Sequence, residues 1–198
     1  RVGYVQKSAS HYYLDLFLLY HGIDPKSIVA VPMNGEALPN ALAKGQVDAI
    51  SAWEPWGHFA LSQEGADVVV VDAPKLYNQT FNLIANNEYL LAQPRKTSAV
   101  LRALIEAIQY IHAHPEEAKR ILMRNAGIDL DTVNAAWHTY HYELLLQQSL
   151  LTTLQGQARW ALREGHVSDT DNEPEFLNFI DSSLLRKLQP NSVDFVYP

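Results

Sequence analysis

The first third of the chain alternates short apolar runs with amphipathic runs, and this alternation constrains the fold more than any other feature. The segments RVGYV, SIVAVPM, VDAISAW and ADVVVVDAP are typical of strands, and the last has the continuous apolar core of a strand buried on both faces. Helices are predicted between them, from SASHYYLDLFLLYHG, EALPNALAKG and EPWGHFALSQEG. Strands and helices that alternate through short connections predict an α/β fold, an open sheet with helices on both faces.

The sequence changes character after Pro74. One more strand is predicted over residues 80–86, and helices dominate from there to the end. The long segment KTSAVLRALIEAIQYIHAHPEEAKRILMRNAG contains Pro115, which predicts that one helix stops and another begins. We therefore expect an α/β lobe over residues 1–76 and a helix-rich part over residues 77–198. Helical spacing marks a buried stripe on the long helix, formed by Leu101, Leu104, Ile105, Ile108, Ile111 and His112.

Composition and motifs exclude several classes of function. The 22 acidic residues outnumber the 15 basic ones, which argues against a nucleic-acid-binding protein, because such a protein presents a basic face. The chain has no cysteine, so disulfides, thiolate metal sites and cysteine nucleophiles are excluded. It also lacks the glycine-rich phosphate loops, the HExxH zinc motif and the GxSxG elbow of serine hydrolases. We therefore predict no catalytic residue, no metal ligand and no cofactor, and we interpret the histidine pairs in HAH and HTYH as packing or surface residues.

Polar residues follow the first strand, at the start of the first helix. Ser8, Ser10 and His11 lie where backbone N–H groups are unpaired and where the helix dipole favours negative charge. Their hydroxyl and imidazole groups add further donors, so this segment is a candidate anion-binding site. The alternative is that Ser8 or Ser10 serves only as the N-cap of the helix.

Two further loops occupy the equivalent position after the second and third strands. Asn34 follows the second strand, and Trp53 and Glu54 follow the third. In open α/β sheets the loops at the carboxyl ends of the strands line the ligand crevice, so these residues are candidate ligand contacts. The alternative for Glu54 is a first-turn carboxylate favoured by the dipole of the helix that Pro55 begins. Trp56 is expected to anchor that helix to the core.

The ordered motifs resemble a known family. The segment VGYVQKSASHYYLDLFLLYHGIDPKSIVAVPMNGEALPNALAKGQVDAISAWEPW is similar to the second lobe of solute-binding proteins of nitrate, sulfonate and taurine ABC importers. LIANNEYLLAQP, ALIEAIQYIHAHPEEAKRIL and QARWALREG continue the resemblance over nearly the whole chain. It implies a periplasmic-binding-protein-like (type II) fold, in which two α/β lobes close on a small anionic or zwitterionic solute without catalysis.

The resemblance also implies partners, location and chain organisation. ABC permease subunits would be the protein partners, the location would be periplasmic or extracytoplasmic, and any membrane contact would be through the permease or a lipid anchor. Residues 1–76 would form the second lobe, and residues 77–198 would supply a returning strand and helices that belong to the first lobe or pack on it. Family members carry a further N-terminal region that builds most of the first lobe. That lobe is therefore expected to be incomplete here, and the chain alone is expected to bind weakly.

The resemblance carries Ser8, Ser10 and His11 over as anion contacts, and Trp53 and Glu54 as the wall of the second lobe. A carboxylate at Glu54 would repel nitrate or a plain sulfonate and attract an amine, which favours a taurine-like ligand. Two alternatives remain open. The same fold serves as the extracytoplasmic sensing domain of signalling proteins, and the enzymes that make the pyrimidine precursor of thiamine use a similar fold.

Overall fold

A computed structural model describes residues 1–63, 67–71, 76, 78–168 and 172–195. The chain divides into two compact units: Arg1–Gln79 with Asp129–Thr139, and Thr80–Ile128 with Tyr140–Pro198. The first range ends close to the predicted boundary at residue 76. Residues 129–139, which the sequence placed with the helix-rich part, belong to the first unit. The assignment of these parts to the two lobes of a binding protein stays a prediction.

The first unit contains a parallel sheet with the strand order β2-β1-β3. Its strands are β1 (Val2–Tyr4), β2 (Ala30–Pro32) and β3 (Ala49–Ile50). The helices that connect or follow them are α1 (Ala9–Tyr20), α2 (Leu38–Ala43) and α3 (Trp56–Leu61). Because crossovers between parallel strands are right-handed, this order puts α1 and α2 on opposite faces of the sheet. The predicted strands and helices of residues 1–61 are confirmed.

Strand β1 buries both of its faces. Tyr4 packs with Leu14 and Leu18 of α1 in a small core cluster. Gly3 points to the other face, where a Cβ at its position would lie 3.0 Å from a side-chain carbon of Leu38 in α2. Successive residues of a strand alternate between faces, so these contacts confirm that helices cover the sheet on both sides.

Local signals fix where the first two helices begin and end. The Ser8 hydroxyl accepts a hydrogen bond from the Ser10 N–H and caps α1. Gly22 and Gly45 follow α1 and α2 with φ angles of +64° and +63°, a left-handed conformation that glycine adopts without steric cost.

The fourth predicted strand, over residues 66–74, is wrong for the part of it that the structure describes. Residues 67–71 form no strand, and the side chains of residues 69–71 are 65–79% exposed. Residue 66 and residues 72–74 lie outside the described residues. An apolar run becomes a strand only where a neighbouring strand supplies hydrogen-bond partners, and none of the described strands pairs with residues 67–71.

The strand predicted over residues 80–86 is also wrong, because this segment forms no strand and pairs with none of the described strands. Phe81, Leu83 and Ile84 are exposed, for the same reason as the valines above.

The second unit is mainly helical. Its helices are α4 (Asn87–Ala92), α5 (Pro94–Ala113), α6 (Pro115–Ala126), α8 (Gln148–Arg163) and α9 (Ser183–Leu188), whereas α7 (Leu130–Trp137) belongs to the first unit. Pro115 separates α5 from α6 as predicted. The core of this unit lies around α8 and α9 and contains Leu150, Leu151, Leu185, Val193 and Phe195.

The stripe predicted to be buried on α5 is only partly covered. Leu101, Ile105, Ile108 and Ile111 are half-buried, whereas Leu104 and His112 are exposed. Helical spacing identified the apolar face of α5, but the described residues cover only part of that face. Within those residues, none of the helices has the length and hydropathy required to cross a membrane.

Candidate functional site

A cavity of about 200 Å³ lies at the carboxyl ends of β1 and β3, within the first unit. One wall comes from the first turns of α1 and the other from the segment that follows β3. The lining residues are Ala9, Ser10, Tyr13, Ser51, Ala52, Trp53 and Gln79. In the order β2-β1-β3 the chain moves from β1 to β2 and then crosses over to β3, so the strand order reverses between β1 and β3. Ligands of open α/β sheets bind outside the carboxyl ends of the strands at this reversal.

Ser10 and Ser51 hold the two walls of the cavity together. The Ser10 hydroxyl donates to the carbonyl of Ser51 at 2.6 Å, and the Ser51 hydroxyl donates to the carbonyl of Ser10 at 2.8 Å. The Ser10 hydroxyl also accepts from the N–H of Val5 at 3.1 Å, and Ser10 is only 3% exposed. Both hydroxyl protons are therefore engaged in bonds within the protein.

Ser8 and His11 take part in the turn that precedes α1. The Ser8 hydroxyl donates to the carbonyl of Val5 at 2.6 Å, in addition to capping the helix. His11 Nδ1 accepts from the N–H of Lys7 at 3.3 Å, and the His11 ring lies 4.5 Å from the ring of Tyr4. Lys7 has a φ of +55°, an uncommon value for a residue with a side chain. The cap that the sequence offered as an alternative for Ser8 is thus present, and neither Ser8 nor His11 lines the cavity.

The three remaining predicted residues, Asn34, Trp53 and Glu54, follow the carboxyl ends of β2 and β3 and have different roles. Trp53 lines the cavity. Glu54 accepts a hydrogen bond from the backbone N–H of His58 at 3.0 Å, so its carboxylate caps the first turn of α3. Asn34 is exposed and precedes a short 3-10 turn, Gly35–Ala37.

Trp56 connects α3 to the end of β2. A Cβ at Gly35 would lie 2.6 Å from the indole nitrogen of Trp56, so the absence of a side chain at Gly35 is what lets the indole approach. The Trp56 ring also meets the Phe59 ring edge to face at 5.7 Å. The segments after β2 and β3 therefore converge, as the sequence predicted.

The cavity brings together Ser10 and Trp53 from the predicted set and adds residues that the sequence analysis missed. Tyr13 lies one turn after Ser10 on α1, so helical spacing could have identified it. Ser51 and Ala52 directly precede Trp53. No sequence signal pointed to Gln79, which reaches the cavity from a distant part of the chain.

The side chains that line the cavity are neutral. Burial raises the pKa of the Tyr13 phenol, which favours its uncharged form. The charged pair of Arg1 and Asp48 lies away from the cavity, at the amino ends of β1 and β3. The hydrogen bonds from Arg1 lower the pKa of the Asp48 carboxyl. Among the described residues, no three His, Asp or Glu side chains come together in a way that could hold a metal ion.

Comparison with known families shows to which family the chain belongs. Residues 1–118 match the sequence model of the family described as NMT1/THI5 like. The match includes every strand of the sheet and all seven residues that line the cavity. The chain belongs to the NMT1/THI5-like family. This confirms the solute-binding-protein family that the motifs indicated.

One curated relative of this NMT1/THI5-like chain is a Haemophilus influenzae protein that carries the provisional name of thiamine biosynthesis protein. The two are 28% identical over 138 residues, which is 67% of this chain and 42% of the relative. The chain thus spans less than half the length of that relative.

A solved structure shows the fold of this NMT1/THI5-like chain. The periplasmic aliphatic sulphonate binding protein SsuA from Escherichia coli superimposes with a TM-score of 0.75 and 20% sequence identity. The match covers 92% of this chain and 62% of SsuA. The predicted fold class, a periplasmic-binding-protein-like α/β fold, is therefore confirmed.

Proposed function

We propose that this chain is part of the substrate-binding component of an ABC-type importer, which captures a small solute without changing it chemically. The observation that carries the proposal is the position of the cavity, at the reversal of strand order and the carboxyl ends of β1 and β3. The fold shared with a periplasmic binding protein supports the same reading. On this proposal the protein works in the periplasm or outside the cytoplasmic membrane and delivers its solute to permease subunits.

The ligand class we propose is a small anion or zwitterion of the sulfonate, taurine or nitrate type. Ala9 and Ser10 are the first two residues of α1 and both line the cavity, so the positive end of the helix dipole faces it. Lys7 adds a positive charge in the turn just before the helix. Trp53 supplies an apolar surface for the hydrocarbon part of an organic sulfonate.

The experiment that tests this proposal is a titration of the protein with taurine, ethanesulfonate and nitrate, followed by NMR of the backbone amides. We expect amides of the first turn of α1 and of the segment after β3 to shift with saturation. Trp53→Leu should weaken binding by roughly tenfold or more, because it removes an aromatic wall of the cavity. Trp137→Leu is the matched control, since Trp137 is a half-buried tryptophan of the same unit that does not line the cavity. The proposal fails if none of the three solutes shifts these amides, or if Trp53→Leu binds as the wild type does.

A second candidate is a function in thiamine metabolism, which the provisional name of the Haemophilus influenzae relative favours. Two aromatic side chains, Tyr13 and Trp53, line the cavity, and aromatic walls suit a planar nitrogen heterocycle. The hydroxymethylpyrimidine half of thiamine should therefore be included in the same titration. Saturable binding of the pyrimidine, with sulfonates inert, would replace the first ligand class by the second. Turnover of the pyrimidine by the protein would show an enzyme instead of a binding protein.

A further inference from the structure

Ser10 and Ser51 join the two walls of the cavity through long-range hydrogen bonds. Ser10 and Ser51 are 41 residues apart in sequence, yet each hydroxyl donates to the main-chain carbonyl of the other residue. Ser10 is the second residue of α1, and Ser51 directly follows β3. The pair therefore fastens the start of a helix to the end of a strand by two reciprocal bonds.

The same network reaches the central strand. The Ser10 hydroxyl accepts from the N–H of Val5, just after β1, and the N–H of Ser51 donates to the carbonyl of Gly3 in β1. One buried hydroxyl thus connects the exits of β1 and β3 and the first turn of α1. A buried hydroxyl that both donates and accepts a hydrogen bond specifies geometry, because its displacement would leave polar groups unsatisfied.

The cavity is built from the segments that this pair joins. Tyr13 follows Ser10 by one helical turn, and Trp53 follows Ser51 by two residues. The distance between the Tyr13 and Trp53 walls therefore depends on the bonds between Ser10 and Ser51. Functional sites need such supporting contacts, since a displacement of about 1 Å can cost about 100-fold in the rate of an enzyme.

We infer that Ser51, with Ser10, is a positioning residue of the solute site, which sets the place of Trp53 relative to α1 without donating its hydroxyl to the ligand. This inference rests on the proposed function for its effect on affinity. The positioning itself concerns the unliganded protein and can be measured there.

The test uses the full chain labelled with fluorotryptophan and observed by fluorine NMR. The four tryptophans give separate signals, and Trp53→Phe assigns the one from Trp53. We expect Ser51→Ala to shift or broaden the Trp53 signal and leave the Trp160 signal of the second unit in place. Affinity for taurine or ethanesulfonate, whichever binds the wild type, should fall by roughly tenfold. Ser51→Thr keeps the hydroxyl and should restore both the signal and the affinity.

Ser27→Ala is the matched control. Its hydroxyl also donates to a carbonyl at 2.6 Å, that of Asp24, but Asp24 is only three positions away in sequence and the bond lies outside the cavity. We expect no change of the Trp53 signal or of affinity in this variant.

Several outcomes decide the inference. An unchanged Trp53 signal in a folded Ser51→Ala protein would overturn it, as would a loss that Ser51→Thr does not restore. If Ser51→Ala fails to fold, Ser51→Cys keeps the volume with a weaker donor, and an unaltered Trp53 signal in that variant would overturn the inference equally. If the wild type binds none of the probes but the Trp53 signal still responds to Ser51→Ala, the proposed function fails and the positioning role stands.

Discussion

Glu54 caps the first turn of α3, and the sequence also predicted that it contacts the ligand. Its carboxylate accepts the His58 N–H, and a Cβ at Gly57 would lie 3.1 Å from its other oxygen, so the absence of a side chain there leaves the carboxylate its space. The sequence offered two interpretations, a ligand selector and a first-turn carboxylate. The hydrogen bond to His58 establishes the second, and the selector role stays a prediction.

Glu54→Gln separates these two roles. The amide oxygen of glutamine can still accept the His58 N–H, whereas the negative charge is lost. If the charge selects an amine, the preference for taurine over ethanesulfonate should fall by roughly fivefold, the size expected of a partly solvated charge pair. Calorimetry with both solutes measures the ratio. Glu36→Gln, in the exposed 3-10 turn after β2, should leave the ratio unchanged. An unchanged ratio in Glu54→Gln would leave only the helix-capping role.

Among the elements, α7 depends on a cap that titrates. Asp129 receives the backbone N–H of Thr132 on Oδ1 and the Thr132 hydroxyl on Oδ2, both at 2.8 Å. The backbone bond and the hydroxyl bond favour the ionised carboxylate and hold the pKa of Asp129 below its ordinary value of 3.8. Thr132 is almost completely buried, so the cap fixes the start of a helix that packs against α3.

The pH dependence of this cap follows from its lowered pKa. Because the folded chain holds the proton less tightly than the unfolded chain, the cap contributes its full stability above the ordinary pKa and loses it as pH falls through the lowered one. Thermal unfolding of wild type and Asp129→Ala should therefore differ most in Tm above about pH 5, with the difference shrinking toward pH 3. Asp131→Ala is the control variant, since it removes a carboxylate of the same turn that receives neither hydrogen bond from Thr132. A Tm difference for Asp129→Ala that stays constant over this range would contradict the assignment.

At the scale of the whole molecule, each unit has its own apolar core and also exposes large apolar side chains. The second unit buries Leu185 to 4% exposure within its core cluster, whereas Ile84 in the same unit is 88% exposed. Both side chains are of the same size, so their surroundings alone decide what each contributes to stability.

Substitution of these two residues by alanine measures the difference. Leu185→Ala should lower the free energy of unfolding by about 2–5 kcal/mol, because it leaves a cavity in the core. Ile84→Ala should change it by less than about 0.5 kcal/mol, as expected for an exposed site. Urea denaturation followed by circular dichroism gives both values. A cost for Ile84→Ala comparable to that of Leu185→Ala would mean that Ile84 is covered in solution.

How far the sequence predicts this protein depends on the range of the interaction concerned. The N-cap role of Ser8 and the helix break at Pro115 are local signals, because each acts on residues within one turn. The alternation of apolar and amphipathic runs predicted the strands and helices of the first third, and with them the α/β class. The ordered motifs predicted the family.

Only the tertiary structure decided which apolar runs pair and which side chains meet at the cavity. The valines of residues 69–71 have the composition of a buried strand, but strand formation requires a partner strand that no local pattern specifies. Ser10 was predicted as an anion donor, and its hydroxyl is instead bonded to Ser51, 41 residues away. The sequence by itself determined where the helices begin and end, since helix signals act on neighbours along the chain. The structure determined the cavity, since its geometry depends on hydrogen bonds between segments that only folding brings together.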